Sequence, residues 1–219
     1  MATVNLTAVD HTLAFSSSDI PSEHVEAFDY TLAWAQAVAR TYNPDPSSQV
    51  YFDTMKTELS RVGWNVLDAG SDTIDIVQDR IEPKSIIFSM LSPYLRAEQQ
   101  SQLNGVLEAM RQPNAGVHDF LTFWWNKASV HQGKTEMMIG PLYDYLNQPS
   151  TVLLHYSFNF EADDWRSLFV ERATAELTVS AYHLTMNESI PQWHQIRDAL
   201  EKKFGDKANA HIDNTKIDI

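Results

Sequence analysis

The sequence predicts an α+β protein: an antiparallel sheet of about four to six strands packed against several amphipathic helices, in a single domain over residues 1–219. Three observations predict it. From Thr151 to Ala162, the apolar residues Val152, Leu154, Tyr156, Phe158, Phe160 and Ala162 alternate with His155, Ser157, Asn159 and Glu161. That is the period of two of a strand with one face buried and one wet. Before residue 130 the apolar residues recur at three and four positions instead, the period of helices packed on one side. Helices first, long strands later and one helix last is the order of an α+β domain.

Taken in order, residues 3–9 alternate (Val4, Leu6, Ala8) and predict a first strand, running on toward Phe15. Ser16-Ser17-Ser18-Asp19 reads as a loop, and Pro21 suits a first helical turn. Val25, Phe28, Leu32, Ala35 and Ala39 predict a helix over 21–42, which Asn43-Pro44-Asp45-Pro46 ends. A second helix starts near Ser47 or Ser48, with Phe52, Met55, Leu59 and Val62 on one face and Gly63 placed as a C-cap. Trp64 to Leu67 reads as a strand with Thr73 to Val77 as its hairpin partner. Pro83 opens a third helix and Ser92-Pro93 a fourth, running to Arg111. The fifth, 116–129, carries Val117, Phe120, Leu121, Trp124, Trp125 and Ala128 in a stripe wide enough to need cover on two sides.

After Gly133 the period switches to two. Glu136 to Leu146 reads as a strand that Gly140-Pro141 bulges or moves to an edge, and Asn147 to Ser150 as a hairpin turn. The strand 151–162 follows, then Ala175 to Tyr182, the three making an antiparallel meander. Trp165 to Arg172 fits either a strand or a helical turn. Ser189-Ile190-Pro191-Gln192 matches a capping box before a last helix, with Trp193, Ile196, Leu200 and Phe204 on one face. Ile212, Ile217 and Ile219 make the end of the chain apolar enough to dock as a tail.

Composition bounds function. A net charge of −13 repels phosphate backbones, so nucleic-acid binding is not expected. Absence of cysteine removes disulfides, thiolate metal sites and a thiol nucleophile. Neither a secretory signal nor an 18-residue apolar run is present, which leaves a cytoplasmic protein or one exported by a non-classical route. No glycine-rich nucleotide motif, His-Glu-x-x-His or Gly-x-Ser-x-Gly occurs, and Gly133-Lys134-Thr135 lacks the first P-loop glycine because position 128 is Ala128. No catalytic residue, cofactor or metal is expected. His155 and His183, in neighbouring strands, with Glu161 form a candidate polar cluster, to be weighed against an ordinary solvated sheet face. Trp124 and Trp125 are interface candidates, to be weighed against a broad core face.

Two resemblances accompany these residues. Ile196 to Gly205 with the Ile- and Asp-rich tail, and Phe52 to Trp64, resemble small uncharacterised bacterial proteins, which lend no activity. The order of elements, helices then long amphipathic antiparallel strands, is similar to the Cyt-type cytolysins. That likeness implies strands that insert into membranes and carries over no residue. The leading expectation is a non-catalytic bacterial protein acting through its surface, by self-association into a homo-oligomer. The alternatives are a membrane-active, Cyt-like toxin and a small enzyme or metal protein using the histidine cluster.

Overall fold

The computed structural model describes residues 3–72, 79–127, 129–131, 134–160, 162–173, 179–208 and 210–219. The chain opens with a hairpin, β1 (Thr3–Val9) and β2 (Thr12–Ser17), and continues into helices α1 (Ser22–Tyr42) and α2 (Gln49–Arg61). Strand β3 (Trp64–Asp72) and the short β4 (Arg80–Ile81) precede α3 (Pro83–Leu91), α4 (Ala97–Arg111) and α5 (Ala115–Lys127). Then come β5 (Ser129–His131), β6 (Lys134–Asp144), β7 (Pro149–Phe158), the two-residue β8 (Arg172–Ala173) and β9 (Val179–Glu188). Helix α6 (Ile190–Ala208) and strand β10 (Ile212–Asp218) complete it.

Local chemistry explains most boundaries. The Ser48 hydroxyl accepts the Tyr51 N–H at 3.1 Å and starts α2. Past its end Gly63 takes a φ of 107°, open to glycine at no steric cost. A 3₁₀ turn at Ser92–Tyr94 separates α3 from α4, so the fourth helix begins later than its proline suggests. The hairpin between β6 and β7 turns on Leu146 and Asn147, both at positive φ, with Tyr145 and Gln148 exchanging backbone hydrogen bonds. That is two residues earlier than the sequence places it. Trp165–Phe169 resolves as a 3₁₀ turn. The expected partner of β3 at Thr73 to Val77 lies outside the described residues.

Among the described residues the main sheet runs β10-β1-β2-β6-β7-β9-β3, with β5 added to β6, and β4 pairs β8 in a small second sheet. The α+β class holds, but the sheet exceeds six strands and is mixed rather than antiparallel. β2 pairs parallel to β6, with Thr12 opposite Met138. A parallel pair needs a long crossover, which α1 through α5 supply. The expected meander is present as β6-β7-β9. The first strand does not run on to Phe15 but folds back at Asp10-His11. The expected docking tail is a strand: β10 pairs along all of β1, and the Thr7 hydroxyl donates to Asn214 Oδ1 at 2.6 Å.

The sheet has no wet face over its central strands. Every residue of β7 is buried. Val152, Leu154, Tyr156 and Phe158 join Leu6, Phe15 and Ile139 against α3, α4 and α5. Leu153, with Met138, Leu184 and Met186, packs against Phe28 and Leu32 of α1 and Phe52 and Met55 of α2. Helix α6 lies outside α1, seating Trp193 and Leu200 against Ala27. Each fully buried side chain of this size stabilises by about 1.5–3 kcal/mol over its exposed state. Both layers are therefore structural.

Gly140 and Pro141 cause no bulge, since β6 keeps one register with β7 from Thr135 to Asp144. The glycine is required because β7 passes so close that a Cβ there would sit 1.8 Å from the Val152 carbonyl oxygen. Gly140→Ala is therefore expected to lower stability by on the order of 3 kcal/mol or prevent folding. Gly205→Ala, within α6 and with a Cβ that meets nothing within 4 Å, is the control and should melt no lower than the parent. Thermal unfolding of the two variants checks this.

Candidate functional site

The two faces of the sheet differ in chemistry. Toward α3–α5 the central strands present mostly apolar side chains, with Thr135 and His183 among them. Toward α1 and α2 they present Thr12, Glu136, Thr151, His155 and Ser157 among the aliphatic residues, each at most 5% exposed. His11, in the β1–β2 turn, completes this patch and is fully buried. Period-two alternation forces the arrangement: on β7 it puts Thr151, His155 and Ser157 on one side and Val152, Leu154, Tyr156 and Phe158 on the other.

The His11 and His155 rings meet edge to face at a centroid distance of 5.8 Å. Tyr51 of α2 packs edge-on to His11, also at 5.8 Å. Neither nitrogen of either imidazole, nor the Tyr51 hydroxyl, has a hydrogen-bond partner among the described residues. Nearby, Gln36 of α1 donates to the Thr12 hydroxyl at 2.7 Å, and Ser157 donates to Glu136 Oε1 at 3.4 Å. A buried polar group without a partner costs about 1–3 kcal/mol. The contact between the sheet and α1–α2 is weakened by that cost, whereas the α3–α5 contact is predominantly apolar.

Burial sets the protonation states. Desolvation lowers the His155 pKa to about 4. His11 is held well below the usual imidazole value, first by desolvation and then by His155 and Arg40. Both rings are neutral at pH 7. On the same side of the sheet Glu188 is fully buried at the end of β9, opposite Trp64, and its pKa rises to about 8 by desolvation. Burial likewise raises the Tyr51 phenol.

The residues singled out in the sequence do not assemble as expected. His155 stands opposite Tyr182 in the register, and His183 opposite Leu154, so the two histidines point to opposite faces. A one-residue offset between strands is enough to separate them. His183 Nε2 lies 3.2 Å from Asp68, and its ring packs on Tyr94. Glu161 lies outside the described residues. The outer face is roofed by α1 and α2 rather than solvated. Trp124 is fully buried and Trp125 is 6% exposed, both in the core between α5 and the sheet, so the broad aromatic stripe is turned inward. Besides its cross-strand neighbour Tyr182, the ring that His155 meets is His11, over 100 positions away in the chain, and no local pattern marks that contact.

Among the described residues no group of three or more His, Asp or Glu side chains is arranged to hold a metal ion, and no helix is long and apolar enough to cross a membrane. No protein-family model matches the chain, and no curated protein matches it. Among solved structures it is similar to a delta-endotoxin, at 13% identity over 78% of each chain with a TM-score of 0.41. It is also similar to the Evf virulence factor, at 11% identity over 89% of this chain and 76% of that one, with a TM-score of 0.37.

The buried groups fix the sign of the pH dependence. A histidine held below its unfolded pKa of 6.5 favours the folded state fully above that pH, and the advantage is lost as pH falls toward 4. A carboxyl held above its unfolded pKa of 4.5 does the reverse, and its contribution is lost as pH rises toward 8. The two effects offset each other between about pH 4.5 and 6.5, where stability is expected to be greatest; above that window the Glu188 loss is unopposed and reaches about 2 kcal/mol by pH 8, and below it the His155 loss reaches about 1 kcal/mol by pH 4. Glu188→Gln should remove most of the alkaline loss and His155→Gln much of the acid loss, as read by urea unfolding from pH 4 to 8.

Proposed function

We propose that the protein is membrane-active, its central strands leaving their helical cover to enter a lipid bilayer. The observation that carries this reading is the chemistry of the two faces of β7. A strand crosses a bilayer in about 9–11 residues, with apolar side chains outward and polar ones toward water. β6, β7 and β9 have 11, 10 and 10 residues and are antiparallel neighbours in the sheet. On β7 the set Val152, Leu154, Tyr156 and Phe158 suits lipid, and Thr151, His155 and Ser157 suit a water-filled interior. In the folded chain His155 of that second set sits under α1 and α2 at a cost, with no hydrogen-bond partner among the described residues, so lifting this layer releases it to water. Separating α3–α5 instead offers the apolar face to lipid.

Three strands cannot close by themselves, and an open edge inside a bilayer leaves backbone groups unpaired. A closed barrel takes eight strands or more, so about three or more copies must contribute. Self-association is therefore part of this reading, in the inserted state. The negative charge favours zwitterionic over anionic lipid.

The test uses the natural absence of cysteine. The protein is expected to release dye from zwitterionic vesicles, with a steeper than linear dependence on protein concentration, and to release less from anionic ones. Ser157→Cys should be protected from a water-soluble maleimide in solution and become reactive on vesicles, whereas Ala181→Cys, on the apolar face, should stay protected. Intact vesicles at micromolar protein, with Ser157→Cys protected throughout, would falsify the proposal.

A further inference from the structure

The hairpin joining β6 and β7 ends in a turn whose side chains do not match its backbone. Tyr145 and Gln148 exchange backbone hydrogen bonds at 2.9 and 3.1 Å, and the two residues between them, Leu146 and Asn147, have φ of 54° and 60°. A two-residue turn with both centres at positive φ favours Asn-Gly or Asp-Gly, because a branched or bulky side chain crowds the backbone there. Asn147 fits that rule and Leu146 does not. Burial does not offset the misfit. The Leu146 side chain is 79% exposed, the most of any large apolar residue among those described, and Tyr145 beside it is 44% exposed. A residue kept in a disfavoured conformation without packing to hold it points to a role outside the fold.

Charge is sorted along the same hairpin. From Met137 to Phe160 the sequence holds a single Asp, Glu, Lys or Arg, which is Asp144. Lys134 and Glu136 lie at the other end of β6, and Glu161, Asp163 and Asp164 follow β7 in sequence. Both strands run from the turn into the rest of the chain, so the turn is the end of the hairpin that can move first. An end that meets hydrocarbon must be poor in charge, and this one is. Its two charges are of opposite sign. The Arg96 guanidinium, just before α4, stands 5.5 Å from the centre of the Tyr145 ring. Asp144 lies 3.2 Å from His24 of α1 and accepts the Asn147 N–H at 3.0 Å. Asp19 and Glu98 line the recess beside them, which sets the patch against an anionic surface.

We propose that Tyr145 and Leu146 are the lipid-docking tip of the protein, seating first in the interface of a zwitterionic bilayer, with the β6–β7 hairpin entering behind them. This rests on the membrane reading above and adds which end makes contact. A tyrosine carries an apolar ring and a polar hydroxyl, which suits the boundary between headgroups and hydrocarbon, and a leucine beside it reaches deeper. Docking gives the exposed leucine the apolar surroundings that the folded chain withholds.

Flotation of the full chain with phosphatidylcholine vesicles tests this. Leu146→Asn places in the turn a residue that tolerates positive φ, so it should melt no lower than the parent while binding the vesicles at least fivefold more weakly. Because the chain has no cysteine, single labels are clean. A polarity-sensitive dye on Leu146→Cys should brighten and shift to the blue on vesicles. The same dye on Val50→Cys, also exposed but beyond the opposite end of α1, should not. Undiminished binding by Leu146→Asn, or a dye at position 146 that stays in water while the protein binds, would overturn the tip assignment and leave the membrane reading standing. Tip-dependent binding without release of vesicle contents would uphold the tip and remove strand insertion. No binding by the parent would overturn both.

Discussion

The layers of this protein meet at the two-residue turn Asp10-His11. Asp10 is fully buried at a φ of 54°. Its carboxylate lies 3.0 Å from the Arg40 guanidinium of α1 and 3.2 Å from His211, just before β10. Its backbone N–H donates to the His211 carbonyl at 2.8 Å. The carbonyl of His11 accepts the Met138 N–H from β6 at 3.0 Å and the Trp124 indole from α5 at 3.3 Å. One turn thus ties the sheet to a helix on each side and to the last strand. Removing one partner of a buried ion pair leaves a charge stranded out of water, which costs more than the intact pair contributes. The constraint therefore acts more as a lock on geometry than as a source of stability.

Around that lock the two helical layers are held by different forces. α3, α4 and α5 close over a face dominated by Leu, Phe, Tyr and Trp, where burial alone is stabilising. α1 and α2 close over a mixed face, where Leu153, Met138 and Leu184 stabilise and His11, His155 and Tyr51, without hydrogen-bond partners among the described residues, oppose. The second layer is cohesive through its aliphatic half and its Arg40 contact, and weak around the histidines. Its stability follows proton activity because the opposing groups are titratable and dry. The proposed passage into membranes depends on that difference between the layers.

Much of the secondary structure was legible, and the reasons are local. The helix face of Val25 to Ala39, the Ser48 cap and the glycine after α2 each act within a few residues. So does the alternation of β7. The β10 strand was not legible, because its two apolar anchors, Ile212 and Ile217, are an odd number apart and fall on opposite faces. The parallel β2–β6 pair joins residues about 126 positions apart, and no short pattern reports such a pairing. The candidate site was read only in part. His155 was identified, but His183 was assigned to its face on the assumption of a register that β7 and β9 do not adopt.

What the amino-acid order determined by itself is the kind of each segment: its period, its caps, its breaks, and the polar and apolar sets into which β7 divides. Those follow from backbone geometry and nearest neighbours along the chain. What only the tertiary structure decided is which of those sets meets which helix, that both faces are covered, and that His11 and His155 touch. Those outcomes rest on strand order and register, set by side chains far apart in sequence competing for one interior, and that competition has a result only when the whole chain is folded.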